Sequence, residues 1–395
     1  MQRRRFLASL AALSAAGACG RLYAAPPAAP RLLVVFLRGG YDCTNTLIPY
    51  ASDFYYEARP HIAVARPDSA NATGALRLDG DWALAPALRG SLGPMYTARQ
   101  CAFVPFTGTE DLSRSHFETQ DDIERGLPPG GRGFDSGFLG RLAAVLRGRA
   151  APIAFTENLP LCLRGGGDVP NLALRTFGAP AFDEREAALL VGMYQGSRLA
   201  AAAREGLELR RDVAQEFAAE MAQANRGAID ARGFVRHAQG LAELMRERYR
   251  IGFIDVGGWD THVNQGGAEG ALANRLDDLG QGLAAFAAAL GAEWNHTVVV
   301  VLSEFGRTFR ENGNQGTDHG HGTAYWVLGG GVRGGRIAGA QVPVTAATLL
   351  QNRDYPVLNN YRAVLGGLFA RLWELDAARL ERVFPQTRPL DLSLV

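Results

Sequence analysis

Four of the seven histidines, His116, His262, His319 and His321, stand in Gly- or Ser-rich stretches close to carboxylates. Imidazoles and carboxylates at short spacing in a glycine-rich tract suit metal coordination, because the backbone must fold around the ion. In Asp255-Val256-Gly257-Gly258-Trp259-Asp260-Thr261-His262, Asp260 and His262 are two apart. In an extended loop both side chains then point to one side and can share a cation. Gly316-Thr317-Asp318-His319-Gly320-His321-Gly322 offers Asp318, His319 and His321 in the same manner. Ser303-Glu304-Phe305-Gly306-Arg307 adds a carboxylate, Glu304, and a guanidinium, Arg307. Asp42, in Gly39-Gly40-Tyr41-Asp42-Cys43-Thr44-Asn45, is a further ligand candidate, with a turn or helix cap as its alternative role. Together these tracts predict a shared site for one or two divalent ions, and the imidazoles favour zinc.

A nucleophile is expected at Ser115, or less favourably at Ser113, within Thr109 to Gln120. A hydroxyl at a helix start after a strand sits where backbone N–H groups and the helix dipole favour an anion. Ser115 with Glu118 also fits the S-x-x-E capping box, so a purely structural role competes. If Ser115 is only a cap, attack falls to Ser113, Thr44 or a water on the metal. His116 beside it is placed to shuttle a proton, and Arg114 or Arg307 to hold paired anion oxygens. His61, His237 and His296 lie at a strand entry, in a helical pattern and before a strand, and read as structural.

Elements that could position these groups are legible as strand-like and helix-like segments in alternation, the pattern of an α/β layered domain. Leu32 to Leu37 is a continuous apolar run ended by Arg38-Gly39-Gly40, as for a strand buried on both faces. Further strands are predicted at Ile62 to Ala65, Cys101 to Phe106, Pro152 to Phe155, Ile251 to Val256, Thr297 to Leu302 and Ala324 to Leu328. Helices are predicted at Phe138 to Arg147, Leu272 to Leu290 and Tyr361 to Leu372. Residues 182–250 read as a helical insertion or cap, broken at Ile229 to Gly233. In an open parallel sheet, ligands bind beyond the carboxyl ends of the strands, where the motif-bearing loops fall.

The 395 residues carry 41 basic and 40 acidic side chains, and every basic one is arginine. Without lysine there is no pyridoxal Schiff base, Walker A lysine or kinase-type lysine. No basic stripe points to nucleic acid. Residues 1–25, with Arg3-Arg4-Arg5-Phe6-Leu7 before a short small-residue apolar run, read as a twin-arginine export signal followed by a linker over 26–30. That run is too short for a membrane span, and a periplasmic or extracellular protein is expected. Removing the signal takes away Arg3, Arg4, Arg5 and Arg21 and no acid, turning a net charge of +1 into −3. Cys43, Cys101 and Cys162 lack metal-ligand spacing, and at most one pair could close.

At Phe36 to Asp42, Arg114-Ser115-His116-Phe117, Gly258 to His262, Ser303 to Arg307 and Asp318 to Gly322 the chain resembles the bacterial exported proteins grouped as domain of unknown function 1501. The order of motifs is similar, more distantly, to the alkaline phosphatase and sulfatase superfamily. That resemblance implies a single three-layer α/β/α domain over 31–395 with a mostly parallel sheet, an ester substrate and Asp and His ligands after late strands. Two departures stand out. Glu304 follows a strand where the superfamily usually has Asp-His, and Cys43 stands where the family more often has Gly. The function expected is a metal-dependent hydrolase of a phosphate or sulfate ester. The alternative is a non-catalytic envelope protein that keeps the fold and binds a glycan or protein partner. An oxidoreductase lacks a dinucleotide fingerprint after a strand, and the sequence leaves the oligomeric state open.

Overall fold

The computed structural model describes residues 29–174 and 225–395. The expected signal, most of the linker and residues 182–224 of the expected helical insertion lie outside the described residues. The central sheet uses β1 (Arg31–Leu37), β2 (Cys101–Gly108), β3 (Pro152–Phe155), β4 (Ile251–Val256), β5 (Thr297–Ser303), β6 (Thr323–Leu328), β7 (Arg336–Ile337) and β8 (Asn359–Asn360). Its order is β7-β2-β6-β5-β1-β4-β3, with β8 also on β2. Only β6 runs against its neighbours, pairing antiparallel with β2 and β5, so the sheet is mostly parallel.

The continuous apolar run of β1 follows from burial on both faces. Leu33, Val35 and Leu37 enter one apolar cluster, Leu32, Val34 and Phe36 the other, and none is more than 1% exposed. Burying each such side chain contributes roughly 1.5–3 kcal/mol relative to exposure. The first cluster is covered by α3 (Ala231–Glu247) and α4 (Ala271–Leu290), through Phe234, Leu241, Leu276 and Leu283. The second is covered by α2 (Phe138–Leu146) and α5 (Tyr361–Trp373), through Leu139, Leu142, Leu365 and Phe369. The result is the expected three-layer α/β/α arrangement.

Two expectations need correction. Ile62 to Ala65 is not a strand, because its amides join no ladder: Glu311 accepts from Ile62 N–H, the Arg59 carbonyl from Ala63 N–H and the Tyr55 hydroxyl from Val64 N–H. The expected break at Ile229 to Gly233 is present but lies earlier, over residues 226–230, and Asp230 caps α3, its carboxylate accepting the Gly233 N–H. Cys43, Cys101 and Cys162 are buried free thiols. Among the described residues no helix is long and apolar enough to cross a membrane.

Register fixes where the motif loops emerge. Leu37 is level with Val256 on one side and Ser303 on the other, so the loops carrying Asp42, Asp260 and Glu304 leave a common edge. Gly108 ends β2 at that edge, and α1 (His116–Arg125) follows. Because β6 is antiparallel, the loop before it, with His319, arrives at the edge from which the parallel strands depart.

Candidate metal centre

Two glycines let the edge close. Gly39 has φ +115°, and a Cβ there would lie 2.6 Å from the Asp260 backbone nitrogen. A Cβ on Gly320 would lie 2.5 Å from the Arg307 backbone. The loops after β1, β4 and β5 therefore approach backbone to backbone, as side-chain-bearing residues could not.

Within this space the Nε2 atoms of His116 and His262 both approach that of His319. His319 Nε2 lies 3.0 Å from His116 Nε2 and 3.1 Å from His262 Nε2. Asp260 closes the group, with Oδ1 2.8 Å from His262 Nε2 and 3.3 Å from His319 Nε2, and Oδ2 3.5 Å from His116 Nε2. The outer nitrogen of each ring faces an oxygen. His116 Nδ1 is 2.8 Å from Glu304 Oε1, His262 Nδ1 is 3.2 Å from Asp318 Oδ1, and His319 Nδ1 is 3.0 Å from the Arg114 carbonyl. Such acceptors place the ring proton on Nδ1 and leave the Nε2 lone pair facing inward.

Three lone pairs and a carboxylate converging in this way repel one another unless a cation or a proton lies among them. Ligands about 2.0–2.1 Å from a tetrahedral zinc stand roughly 3.3 Å apart, close to the spacings found. Asp260 Oδ2 points the same way: it is buried and makes no hydrogen bond of ordinary geometry among the described residues, its near neighbour being His116 Nε2 at 3.5 Å. His116, Asp260 and His319, whose donor atoms all lie within 4.8 Å of one another, therefore form a group that could hold a divalent, nitrogen-preferring ion, with His262 beside Asp260 and His319.

The protonation balance agrees. Burial would lower the His116 imidazole, but the neighbouring carboxylates of Asp260 and Glu304 outweigh it and lift the group to about 9. Burial would raise Asp260, yet the three histidines and Arg307 hold it far below the usual carboxylate range. Burial is likewise outweighed at Glu304, held at about 2 chiefly by His116, while the His262 hydrogen bond holds Asp318 at about 2. His262 is raised despite burial, by Asp260 and Asp318, whereas burial lowers His319. A proton on His116 Nε2 and a cation are thus alternative occupants of one place.

The remaining sequence candidates surround this group in other roles. Glu304 is fully buried and orients, its Oε1 accepting from Gly39 N–H at 2.8 Å and Gln120 Nε2 at 2.9 Å besides facing His116. Asp42 is taken up by Arg59, which pairs with both its oxygens, and by Gln265, whose own Oε1 accepts from Thr261 and Thr317. Arg307 is spent on Asp260 and on the Thr317 carbonyl and hydroxyl. Arg114 pairs with Asp354. His321 is buried beside Asp354, Arg114 and Asp111, outside the converging group.

The capping box expected of Ser115 and Glu118 does not form, since Ser115 makes no side-chain cap. Asp111 organises the turn instead, binding Ser113 and Thr119, while Ser113 Oγ accepts the Ser115 N–H at 3.2 Å. Ser115 itself is half-buried. Sequence reasoning missed the parts played by Arg59 and Asp354, which carry no local motif, and by Gln120 and Gln265, which sit beside His116 and His262 in the chain but whose amides have no pattern that marks their partners. It also missed Arg275, half-buried with its Nε 3.3 Å from where a Cβ on Gly258 would stand.

A family model described as "Protein of unknown function (DUF1501)" matches residues 29–384. The chain belongs to the DUF1501 family. For this DUF1501 chain no curated protein matches. Among solved structures it is similar to a protein in the alkaline phosphatase superfamily from Vibrio parahaemolyticus, at 12% identity and TM-score 0.36, covering 76% of this chain and 60% of that one. It is also similar to BT1596, a 2-O GAG sulfatase, at 10% identity and TM-score 0.38, covering 93% and 74%. A lipooligosaccharide phosphoethanolamine transferase A from Neisseria meningitidis follows at 10% identity and TM-score 0.34, covering 84% and 55%. The chain thus spans less than two thirds of the first and third of these, and the likeness is a loose one of fold.

Proposed function

We propose that this chain is an exported, metal-dependent hydrolase of a phosphate or sulfate ester. Its divalent ion, zinc by donor chemistry, is held by His116, Asp260, His262 and His319. The observation that carries the reading is the group of His116, Asp260 and His319, whose donor atoms all lie within 4.8 Å of one another, with His262 Nε2 against Asp260 and His319 at its side. A bound cation supplies Lewis acidity toward an ester oxygen. The chain's own groups do the rest. Glu304, Asp318 and the Arg114 carbonyl hold the three rings, and Arg307 fixes Asp260. Ser115, whose hydroxyl is not used as a cap, is the nucleophile. Arg307 and Arg114 are paired to carboxylates, and Arg275, beside Gly258, is a guanidinium that could meet the anion.

One observation favours a non-catalytic, metal-holding envelope protein. If His262 joins His116, Asp260 and His319 on the ion, four protein donors complete a tetrahedron and leave no open position. Elemental analysis followed by a screen of phosphate and sulfate model esters separates the readings. Turnover that needs the metal, with Arg275→Gln raising KM at unchanged metal content, supports the hydrolase. A stoichiometric ion without turnover of any ester supports the alternative, and absence of metal after expression with metal supplied overturns both.

A further inference from the structure

Arg114 was expected to grip an anion, yet its guanidinium faces away from the converging histidines. Nε and Nη2 reach Asp354 Oδ2 at 2.9 and 2.8 Å, and Nη2 also donates to Gln351 Oε1 at 2.9 Å. What Arg114 gives the metal centre is its backbone carbonyl, 3.0 Å from His319 Nδ1. Its φ is +55°, a left-handed conformation that side-chain-bearing L-residues rarely adopt. Strain of this kind persists only where the surroundings over-determine it.

Here the surroundings are the tight turn from Leu350 to Asp354, closed by mutual backbone hydrogen bonds between its end residues. The Asp354 carboxylate is completely buried and also receives Arg353. The same turn holds the other partner. The Tyr355 carbonyl accepts the Gly322 N–H at 2.9 Å, three residues beyond His319, and the Arg353 carbonyl accepts the Phe309 N–H, two residues beyond Arg307. One turn therefore clamps both the loop that offers the acceptor and the loop that carries the ligand.

We propose that Asp354 is a positioning residue for metal binding: by anchoring Arg114 it aims the Arg114 carbonyl at His319 Nδ1, fixing the tautomer and direction of the inward-facing Nε2. The inference rests on the metal-site reading but not on hydrolysis, because a ligand's outer hydrogen bond sets its orientation and basicity whatever the bound ion does.

The test is cobalt(II) titration of the full chain, reading Kd and the visible d–d absorption of the bound ion. Asp354→Asn keeps the shape and removes the charge, and Arg114→Gln breaks the pair from the other side while leaving a carbonyl in place. Each is expected to weaken cobalt binding roughly 10- to 100-fold and to shift the d–d bands. The double variant should add little to either single one, since both break one interaction. A general loss of folding would instead lower the melting temperature of the metal-free chain without this non-additivity. Wild-type Kd and spectrum in folded Asp354→Asn, or simple additivity, would falsify the proposal alone. Failure of the wild type to bind cobalt overturns the metal site itself, whereas absence of esterase activity touches neither.

Discussion

Glu304 and His116, 188 positions apart in the chain, meet at 2.8 Å between Oε1 and Nδ1. Glu304 is fully buried, and its carboxylate also takes the Gly39 N–H and the Gln120 amide, so it joins the ends of β1 and β5 to the first turn of α1. A carboxylate behind a ligating histidine fixes the ring and raises its basicity. Glu304→Gln should therefore leave the fold in place while weakening metal binding roughly 10- to 100-fold, as measured by competition with a chromophoric chelator. An unchanged Kd would show that Glu304 serves packing alone.

The same pair sets a pH dependence. In the metal-free chain His116 rises from the ordinary 6.5 to about 9, with burial opposed by Asp260 and Glu304. Because the folded value exceeds the unfolded one, the stabilisation is fully present below pH 6.5 and disappears as pH rises through 9. Such a shift corresponds to a loss on the order of 3 kcal/mol. Metal and proton compete, so apparent affinity should improve roughly tenfold per pH unit up to about 9. Melting curves with and without zinc check both. The increment added by zinc should grow from pH 6.5 to 9, and a constant increment would refute the shared place.

Asp260→Ala and His319→Ala should both lose bound metal, yet differ without it. Removing Asp260 leaves the buried Arg307 guanidinium without its carboxylate, a cost of about 3 kcal/mol even in the metal-free chain. His319 is partly exposed at the rim, so its removal should chiefly abolish the stabilisation gained by mass action when the ion binds. Calorimetric melts with chelator and with zinc distinguish the two. Equal melting temperatures of both variants in chelator would contradict the assigned role of Arg307.

What could be read in the sequence was whatever is local. The β1 run from Leu32 to Leu37 is apolar throughout because both of its faces are covered, and that leaves a direct trace in composition. Asp260 and His262 share a side because they are two apart, and His319 lies in a loop whose glycines permit close approach. Asp42 could not be resolved in this way. A carboxylate after a strand has the same local appearance whether it binds a metal or an arginine, and Arg59 arrives 17 residues later from the end of another helix. The role of His116 as a converging donor was equally hidden, since it depends on where α1 begins relative to the β1 and β5 ends.

That contrast is itself testable. The Asp42 and Arg59 side chains are wholly buried, so Asp42→Asn should cost roughly 3 kcal/mol by leaving the guanidinium underpaired. Metal content should nevertheless stay at the wild-type ratio. Loss of an ion from a variant that remains folded would return Asp42 to the ligands.

Ser115 offers the sharpest separation between chemistry and structure. A serine that caps a helix through its side chain contributes roughly 1 kcal/mol, which Ser115→Ala would remove. Ser115 makes no such hydrogen bond, and Asp111 and Ser113 hold the turn in its place. Ser115→Ala should accordingly change stability by less than about 0.5 kcal/mol, the ordinary range for a substitution away from such features. If Ser115 attacks the ester, the same variant loses turnover at unchanged metal content, and Ser115→Thr, which keeps a hydroxyl, retains part of it. Full turnover by Ser115→Ala would remove Ser115 as the nucleophile and pass the role to Ser113, whose hydroxyl lies 2.8 Å from Asp111 Oδ2. Ser113→Ala then becomes the deciding variant, read by the loss of ester turnover at constant bound metal.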